Sequence, residues 1–170
     1  ASYIAPSDIP RFAELGVAAD LSPFLWYPTS FLEGHKLAMG EERAQRFWPN
    51  RELLASGALL AGGSDWPVMP NPDPWNGMEG LVTRKNPSGE FPGASLWPEQ
   101  ALDVATALEI FTINSARAIG LADTVGSIEI GKSADLIVLD RNVLEVPADE
   151  IANTKVLTTW FEGRVVHEHA

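Results

Sequence analysis

The sequence contains no cysteine, few basic residues and no long apolar run. The absence of cysteine excludes disulfide bonds and thiolate metal ligands, although it does not identify the cellular compartment. Lysine and arginine number 12 against 23 aspartates and glutamates, which gives a net charge of −11. Because an acidic surface repels phosphate backbones, we do not expect a nucleic-acid partner. No apolar stretch approaches the roughly 18 residues of a membrane span, so we expect no membrane association.

The chain is also short for the fold that its patterns suggest. It has 170 residues, whereas a complete (β/α)8 barrel needs about 250 residues and rarely fewer than roughly 200. It begins with alanine and not with methionine. We therefore expect a piece of a longer protein. No basic segment followed by an apolar one marks a signal peptide, and we expect a cytoplasmic location.

Alternating helical and extended patterns predict βα units in the first part of the chain. Strands are predicted at residues 17–22 and 58–62. Helices are predicted at residues 7–16 and 41–56, and Pro49 is expected to break the second helix. Because such units follow one another with short connections, the two strands are expected to be parallel.

The second part of the chain changes its pattern twice. Residues 66–98 are rich in proline, asparagine, glycine and tryptophan, which indicates a long loop with a helical island at 77–85. Residues 98–119 have near-helical apolar spacing and predict a helix. Four strands are predicted after that helix, the last two forming a hairpin around Glu162 and Gly163: residues 128–130, 136–139, 156–161 and 164–167.

Asp65 is the most informative residue of the sequence. It lies in residues 59–67, LLAGGSDWP, where an apolar run leads through two glycines to one carboxylate and then to a proline. This pattern predicts a buried parallel strand with an acid at its carboxyl end. In an α/β barrel that end of a strand faces the active site. The alternative is a turn or cap role, because aspartate is common just past strands.

Several segments occur in a specific succession. They are GSD at 63–65, MEGLVTR at 78–84, FTINSARAIGL at 111–121 and VGSIEIGKSADLIVLD at 125–140. This succession resembles the carboxyl-terminal part of the amidohydrolase superfamily, and within it the YtcJ-like (amidohydrolase type 3) metal-dependent hydrolases. The resemblance runs over nearly the whole chain, from about residue 4 to residue 167.

The resemblance implies a partial α/β fold in two parts. Residues 1–121 would be the last two βα units of a TIM barrel, the family's strands seven and eight, with the long loop at 66–98. Residues 122–170 would supply the carboxyl-terminal strands of the accessory β-sandwich beside that barrel. The sandwich would be incomplete, because in this family it is built from both ends of the chain.

The resemblance also implies a metal-dependent hydrolase that acts on a small molecule at a carbon–nitrogen bond other than a peptide. Asp65 matches the family's strand-end aspartate, which contacts the metal and acts as general acid and base. The cofactor would be a divalent metal, expected to be zinc, which activates water. The family's other ligands, after strands one, four, five and six, have no counterpart in this chain. We therefore expect no tightly bound metal and no activity in the chain alone.

Five further residues are candidates for substrate binding. Trp26 and Tyr27 would stand at the mouth of the barrel and Trp66 follows Asp65, so these aromatic side chains could line an apolar pocket. Core packing is an equally good interpretation, because large aromatic residues dominate cores. Arg84, and also Arg43, could bind a substrate carboxylate, and the alternative for both is an ion pair on a helix face.

The three histidines are weaker candidates. His167 and His169 would share one face of a strand and could bind a metal at two points, but a solvated chain end is the favoured interpretation. His35 is expected in a loop. Asp135 precedes an apolar strand and is expected to be a turn residue.

Three classes of protein therefore remain open. The first is the hydrolase, and the second is a non-catalytic binding or regulatory module that kept the same scaffold. The third is an independent α/β domain whose likeness is only partial. In each case we expect association, as a homo-oligomer or within a larger complex, because strands cut from a barrel leave unpaired edges and apolar faces.

Overall fold

Two short parallel strands form the centre of the first part of the chain. The computed structural model, which describes residues 1–22 and 24–169, places β1 at Ala19–Leu21 beside β2 at Leu60–Gly62. Both strands lie where the sequence predicts them, although each is shorter than predicted. Their hydrogen bonding is parallel, as expected for successive βα units.

Helices and turns make up most of the remaining structure. The described part of the chain contains the helices α1 (Ile9–Glu14), α2 (Ser30–Met39), α3 (Glu41–Gln45), α4 (Asn50–Ala55), α5 (Pro74–Thr83), α6 (Val104–Phe111) and α7 (Ile113–Ala118). Short 3-10 turns occur at Pro6–Asp8, Pro98–Gln100 and Ala148–Asn153. Among residues 1–22 and 24–169, no helix has the length and apolar character needed to cross a membrane.

The two long predicted helices are each interrupted. Pro49 adopts φ −78° and ψ 58°, outside the helical region, and separates α3 from α4 as predicted. The predicted helix at 98–119 is wrong in its continuity, because α6 begins only after Asp103. The Asp103 carboxylate accepts the Thr106 N–H at 2.8 Å and so caps a new helix start. Thr112, at φ −125° and ψ −100°, then separates α6 from α7.

Helix α2 was not predicted, and His35 lies on this helix and not in a loop. Its inward face carries Leu32 and Met39 with the polar residues His35 and Lys36 between them, so the apolar periodicity that indicates an amphipathic helix is weak in the sequence. The helix also contains Gly34, a poor helix former. An ion pair joins Lys36 to Glu33 at 3.0 Å.

Aromatic residues that follow β1 pack against α5 and form the centre of the core. The Trp26 indole N–H donates to the Gly77 carbonyl on α5 at 3.0 Å. A Cβ atom at Gly77 would lie 2.8 Å from Phe24 Cε1, and one at Gly80 would lie 2.2 Å from Tyr27 Cδ1. The two glycines therefore let the aromatic rings approach the helix backbone more closely than any side chain would allow.

An antiparallel sheet ends the chain. It contains β3 (Leu136–Leu139), β4 (Val156–Phe161) and β5 (Arg164–Glu168), in that order across the sheet. Glu162 and Gly163 join β4 to β5 with φ of 50° and 75°, as a two-residue type I′ hairpin requires. The predicted hairpin is confirmed.

Two aspartates hold the ends of β3 against β4. The Asp135 carboxylate accepts the Glu162 N–H at 2.7 Å, and the Asp140 carboxylate accepts the Lys155 N–H at 2.9 Å. Asp135 itself lies outside any turn, directly before β3, and its carboxylate instead bonds the connection between β4 and β5. These two bonds explain why the segment after residue 131 has acids on both sides of an apolar run.

The predicted strand at residues 128–130 is wrong. This segment forms no strand in the described structure, and Ile128 and Ile130 are 85% and 109% exposed. A strand needs a hydrogen-bonded neighbour, and within residues 24–169 the sheet places only β4 beside β3. Gly126 and Gly131 flank the segment with φ of 92° and 98°, so the chain turns here.

The parallel pair together with the carboxyl-terminal antiparallel sheet agrees with the predicted α/β class. The predicted boundary between residues 1–121 and 122–170 stays a prediction. Val143 and Ile151, from the second part, are buried in the same hydrophobic cluster as β1 and β2.

Candidate functional site

Asp65 lies on an exposed turn three residues after the end of β2. Its backbone is in the left-handed region, with φ 54°. Its carbonyl oxygen accepts the Val68 N–H at 2.7 Å, which closes the turn. Because β1 and β2 are parallel, their carboxyl ends lie on the same edge, and the turn that carries Asp65 stands on that edge.

The two glycines before Asp65 allow close contacts at this edge. A Cβ atom at Gly62 would lie 2.9 Å from Ile110 Cγ2 on α6, and one at Gly63 would lie 2.7 Å from the Ser22 hydroxyl at the end of β1. Larger residues would push the strand end away from both neighbours. The sequence signal is therefore the glycine pair together with the acid, because the glycines set where the acid stands.

The Asp65 carboxylate is available for chemistry. In the described part of the chain, neither a hydrogen bond nor an ion pair engages its oxygen atoms. The carboxylate is exposed and can accept a proton or contact a cation without first breaking a bond within the protein. This distinguishes Asp65 from Asp103, Asp135 and Asp140, whose carboxylates hold backbone N–H groups.

Trp66, a predicted substrate-binding residue, is exposed over 65% of its surface and is adjacent to Asp65. Trp26 and Tyr27 are buried in the core. Burial raises the pKa of Tyr27 to about 12, so its hydroxyl group remains protonated at neutral pH. A substrate role for these two residues stays a prediction, and their contacts in this structure are packing contacts.

Arg84 is fully buried and joins two separate segments of the chain. Its guanidinium donates from Nε to the Leu96 carbonyl at 2.7 Å and from Nη2 to the Phe47 carbonyl at 3.1 Å. Burial lowers the pKa of Arg84 to about 9. The predicted contact between Arg84 and a substrate carboxylate stays a prediction, because its guanidinium is directed into the protein in this structure. Arg43 is exposed on α3.

The three histidines do not gather near Asp65. The His35 ring packs edge-on against the stacked rings of Tyr3 and Phe47, with centroid separations of 5.6 and 5.1 Å. His167 is exposed on β5, and His169 follows it with its N–H donating to Leu157 O at 2.8 Å.

Two buried polar residues with structural roles carried no sequence prediction. Glu79 on α5 accepts the Ala152 N–H at 2.8 Å, and burial raises the pKa of its carboxyl group. Gln100 accepts the N–H groups of Arg51 and Glu52 at 2.9 and 3.1 Å, at the start of α4. A glutamate within an apolar helical run was the available signal for Glu79. Nothing local marks Gln100, because its partners are about 50 positions away in sequence.

The described residues do not form a complete metal site. Within residues 1–22 and 24–169, no group of three or more His, Asp or Glu side chains is arranged to hold a metal ion. A catalytic zinc site uses about three protein ligands. Asp65 can supply one carboxylate, and this chain's other described residues do not complete the set.

Comparison with known proteins shows the family of the chain. Residues 1–167 match the amidohydrolase family, Amidohydro_3. An N-substituted formamide deformylase from Arthrobacter pascens is 32% identical over 93% of this chain and 28% of that protein. YtcJ of Bacillus subtilis is 30% identical over 94% of this chain and 30% of that protein.

A solved structure shows the same arrangement. An adenosine deaminase from Xanthomonas campestris with bound zinc matches 96% of this chain and 35% of its own, with a TM-score of 0.66 and 25% identity. The chain thus spans only 28% to 30% of the length of these two curated relatives. The predicted partial fold, the end of a TIM-barrel hydrolase followed by an antiparallel sheet, is confirmed. The chain belongs to the amidohydrolase family.

Proposed function

We propose that the complete protein hydrolyses a carbon–nitrogen bond other than a peptide in a small molecule, with Asp65 transferring the proton. The observation that carries the proposal is the exposed, unengaged carboxylate of Asp65 on the turn after β2. The names of two relatives support the bond type, since a formamide deformylase and an adenosine deaminase both break carbon–nitrogen bonds.

Hydrolysis of such a bond needs two proton movements. The attacking water must lose a proton, and the leaving nitrogen must gain one. A single carboxylate beside the scissile bond can accept the first proton and return it to nitrogen. Trp66, exposed beside Asp65, offers an apolar face against which the substrate can lie. Trp26, Tyr27 and Arg84 are left out of this proposed contact surface because they are buried.

We further propose that the complete protein binds a divalent metal ion and that Asp65 is one of its ligands. Zinc is the first choice, since the similar deaminase carries zinc. Such an ion lowers the pKa of a bound water toward about 7. Because the described residues form no group of three or more ligands, the other ligands would come from other parts of the protein. The chain alone is therefore expected to be inactive and free of tightly bound metal.

The deciding experiment is Asp65→Asn in the complete protein. Asparagine keeps the shape of the side chain and tolerates the left-handed backbone, but it cannot accept a proton. We expect kcat to fall by about 10²–10⁴-fold with the fold intact. The assay uses N-substituted formamides, amides and ureas as substrates, with metal content measured on the same sample.

Asp123→Asn is the matched control, because Asp123 is an exposed aspartate that follows α7 and is far from Asp65 in the sequence. We expect its kcat to equal that of the wild type. Retained kcat in Asp65→Asn at full metal content would remove Asp65 from the mechanism.

The alternative is a non-catalytic binding or regulatory module on the same scaffold. Absence of the other metal ligands from the rest of the complete protein would favour it. Under this alternative, the complete protein would bind small molecules without turnover, and Asp65→Asn would alter affinity alone. A cytoplasmic location and homo-oligomer formation remain predictions.

A further inference from the structure

The direction of the Asp65 carboxylate depends on the backbone of its turn. As described above, none of the described side chains or N–H groups holds its oxygen atoms. Its φ of 54° is uncommon for any residue other than glycine. Such a conformation persists only when neighbouring groups enforce it. The neighbours that enforce it are therefore as important for the position of the carboxylate as Asp65 itself.

Ser64 supplies one of these restraints. Its hydroxyl oxygen accepts the Trp66 N–H at 3.2 Å, which closes a small turn across Asp65. The second bond of the turn, from the Val68 N–H to the Asp65 carbonyl, lies on the other side. Asp65 is thus held between two hydrogen bonds, and only the first comes from a side chain.

Ser22 supplies a restraint from the neighbouring strand. Its hydroxyl would lie 2.7 Å from a Cβ atom at Gly63, so it occupies the space that any larger residue at 63 would need. Ser22 directly follows β1, and Gly63 directly follows β2. This contact sets how far the turn stands above the carboxyl end of β1.

We propose that Ser22 and Ser64 are positioning residues for Asp65. Ser64 fixes the direction of the turn, and Ser22 packs against its base and fixes its height on the sheet edge. This inference rests on the proposed function, because it assigns to two neighbours the placement of the proposed proton-transferring group.

The proposed role of Ser64 is tested by enzyme kinetics with the complete protein. Ser64→Ala removes the acceptor for the Trp66 N–H, and we expect kcat to fall by about 10-fold to 10²-fold while KM stays unchanged. Ser64→Thr keeps a hydroxyl group and should recover most of that loss.

Ser88→Ala is the matched control, because the Ser88 hydroxyl accepts the Glu90 N–H at 3.3 Å in a similar turn of another loop. We expect its kcat to be that of the wild type. Equal losses in Ser64→Ala and Ser88→Ala, or no recovery in Ser64→Thr, would overturn the role of Ser64.

The proposed contact of Ser22 is tested by measuring the stability of the chain to urea. Gly63 has no left-handed φ, so Gly63→Ala should lower the urea midpoint only through its contact with the Ser22 hydroxyl. Ser22→Ala removes that hydroxyl, and the Ser22 Cβ would stay at an ordinary 3.8 Å from the new methyl group. The double variant should therefore regain most of the lost midpoint. A double variant no more stable than Gly63→Ala would overturn the proposed contact.

The failures of the two proposals are distinguishable. If Asp65→Asn keeps its kcat, the proposed function itself fails. If Asp65→Asn is inactive while Ser64→Ala and Ser22→Ala turn over substrate at the wild-type rate, only the positioning roles fail.

Discussion

We predict that replacing Gly80, in the middle of α5, by alanine destabilises the protein, although helix propensity alone predicts the opposite. Alanine is a better helix former than glycine, so Gly80→Ala would by propensity stabilise the protein by about 1 kcal/mol. In the structure, however, the new Cβ atom would lie 2.2 Å from Cδ1 and 2.6 Å from Cε1 of Tyr27, and 3.0 Å from Nε1 of Trp26. Both rings are buried and cannot move aside freely.

The two effects have opposite signs, and their sizes decide the outcome. Adding a methyl group to a well-packed core costs about 1–3 kcal/mol. Separations of 2.2 and 2.6 Å, from two atoms of one buried ring, place this site at the upper end of that range. Relief would require a shift of Tyr27 or of Trp26, whose N–H is bonded to Gly77. We therefore expect Gly80→Ala to lower the free energy of unfolding by about 2 kcal/mol.

Gly34, inside α2, provides the matched control. A Cβ atom there meets no other atom within 4 Å, so propensity acts alone. Gly34→Ala should raise the free energy of unfolding by about 0.5–1 kcal/mol. Urea unfolding followed by tryptophan fluorescence measures both variants against the wild type. If Gly80→Ala were as stable as the wild type, or if both variants shifted in the same direction, the packing argument would be refuted.

Three further predictions concern buried charges and association. Burial raises the pKa of Glu79 above 4.5, so the folded state binds this proton more tightly and stability falls as pH rises through the raised pKa. Glu79→Gln keeps an acceptor for the Ala152 N–H, and its urea midpoint should match or exceed that of the wild type at about pH 7 and depend less on pH; a lower midpoint would contradict this. Arg84→Lys should lower the unfolding free energy by about 2–3 kcal/mol, because an ammonium group cannot reproduce the two bonds of the guanidinium, whereas Arg11→Lys on exposed α1 should change it by less than about 0.5 kcal/mol. Sedimentation should show dimers or larger species, and a clean monomer at high concentration would argue against the exposed apolar faces driving association.

The sequence predicts the parts of this fold whose causes are local. Pro49 interrupts its helix because it cannot donate a hydrogen bond, wherever the rest of the chain lies. Glu162 and Gly163 form a hairpin turn because a two-residue connection between extended segments favours positive φ. Asp65 lies past β2 because two glycines and a proline bound a short apolar run. Each of these features depends on fewer than about ten neighbouring residues.

The errors have both distant and local causes. Residues 128–130 alternate as a strand would, but a strand forms only beside a partner, and no described strand is hydrogen-bonded to this segment. Helix α2 packs polar His35 as well as Leu32 and Met39 on its inward face, so its apolar signal is weak. The continuity of the helix predicted at 98–119 is lost because Asp103 caps α6 through the Thr106 N–H. Aspartate in a helical run is an ambiguous signal until its hydrogen-bond partner is known.

Contacts between residues distant in sequence also explain why the sequence alone could not separate core aromatic residues from substrate-binding ones. Pockets and cores both select tryptophan and tyrosine, so the residue type does not separate them. In the structure, the core position of Trp26 is marked by its hydrogen bond to Gly77, which lies 51 positions away in sequence. That bond exists because glycine leaves the helix backbone open to an aromatic ring. Trp66 differs because it lies in the exposed turn that carries Asp65. In this structure Trp26 packs in the core, whereas Trp66 is exposed beside Asp65, whose preceding glycines leave room for Ile110 and the Ser22 hydroxyl.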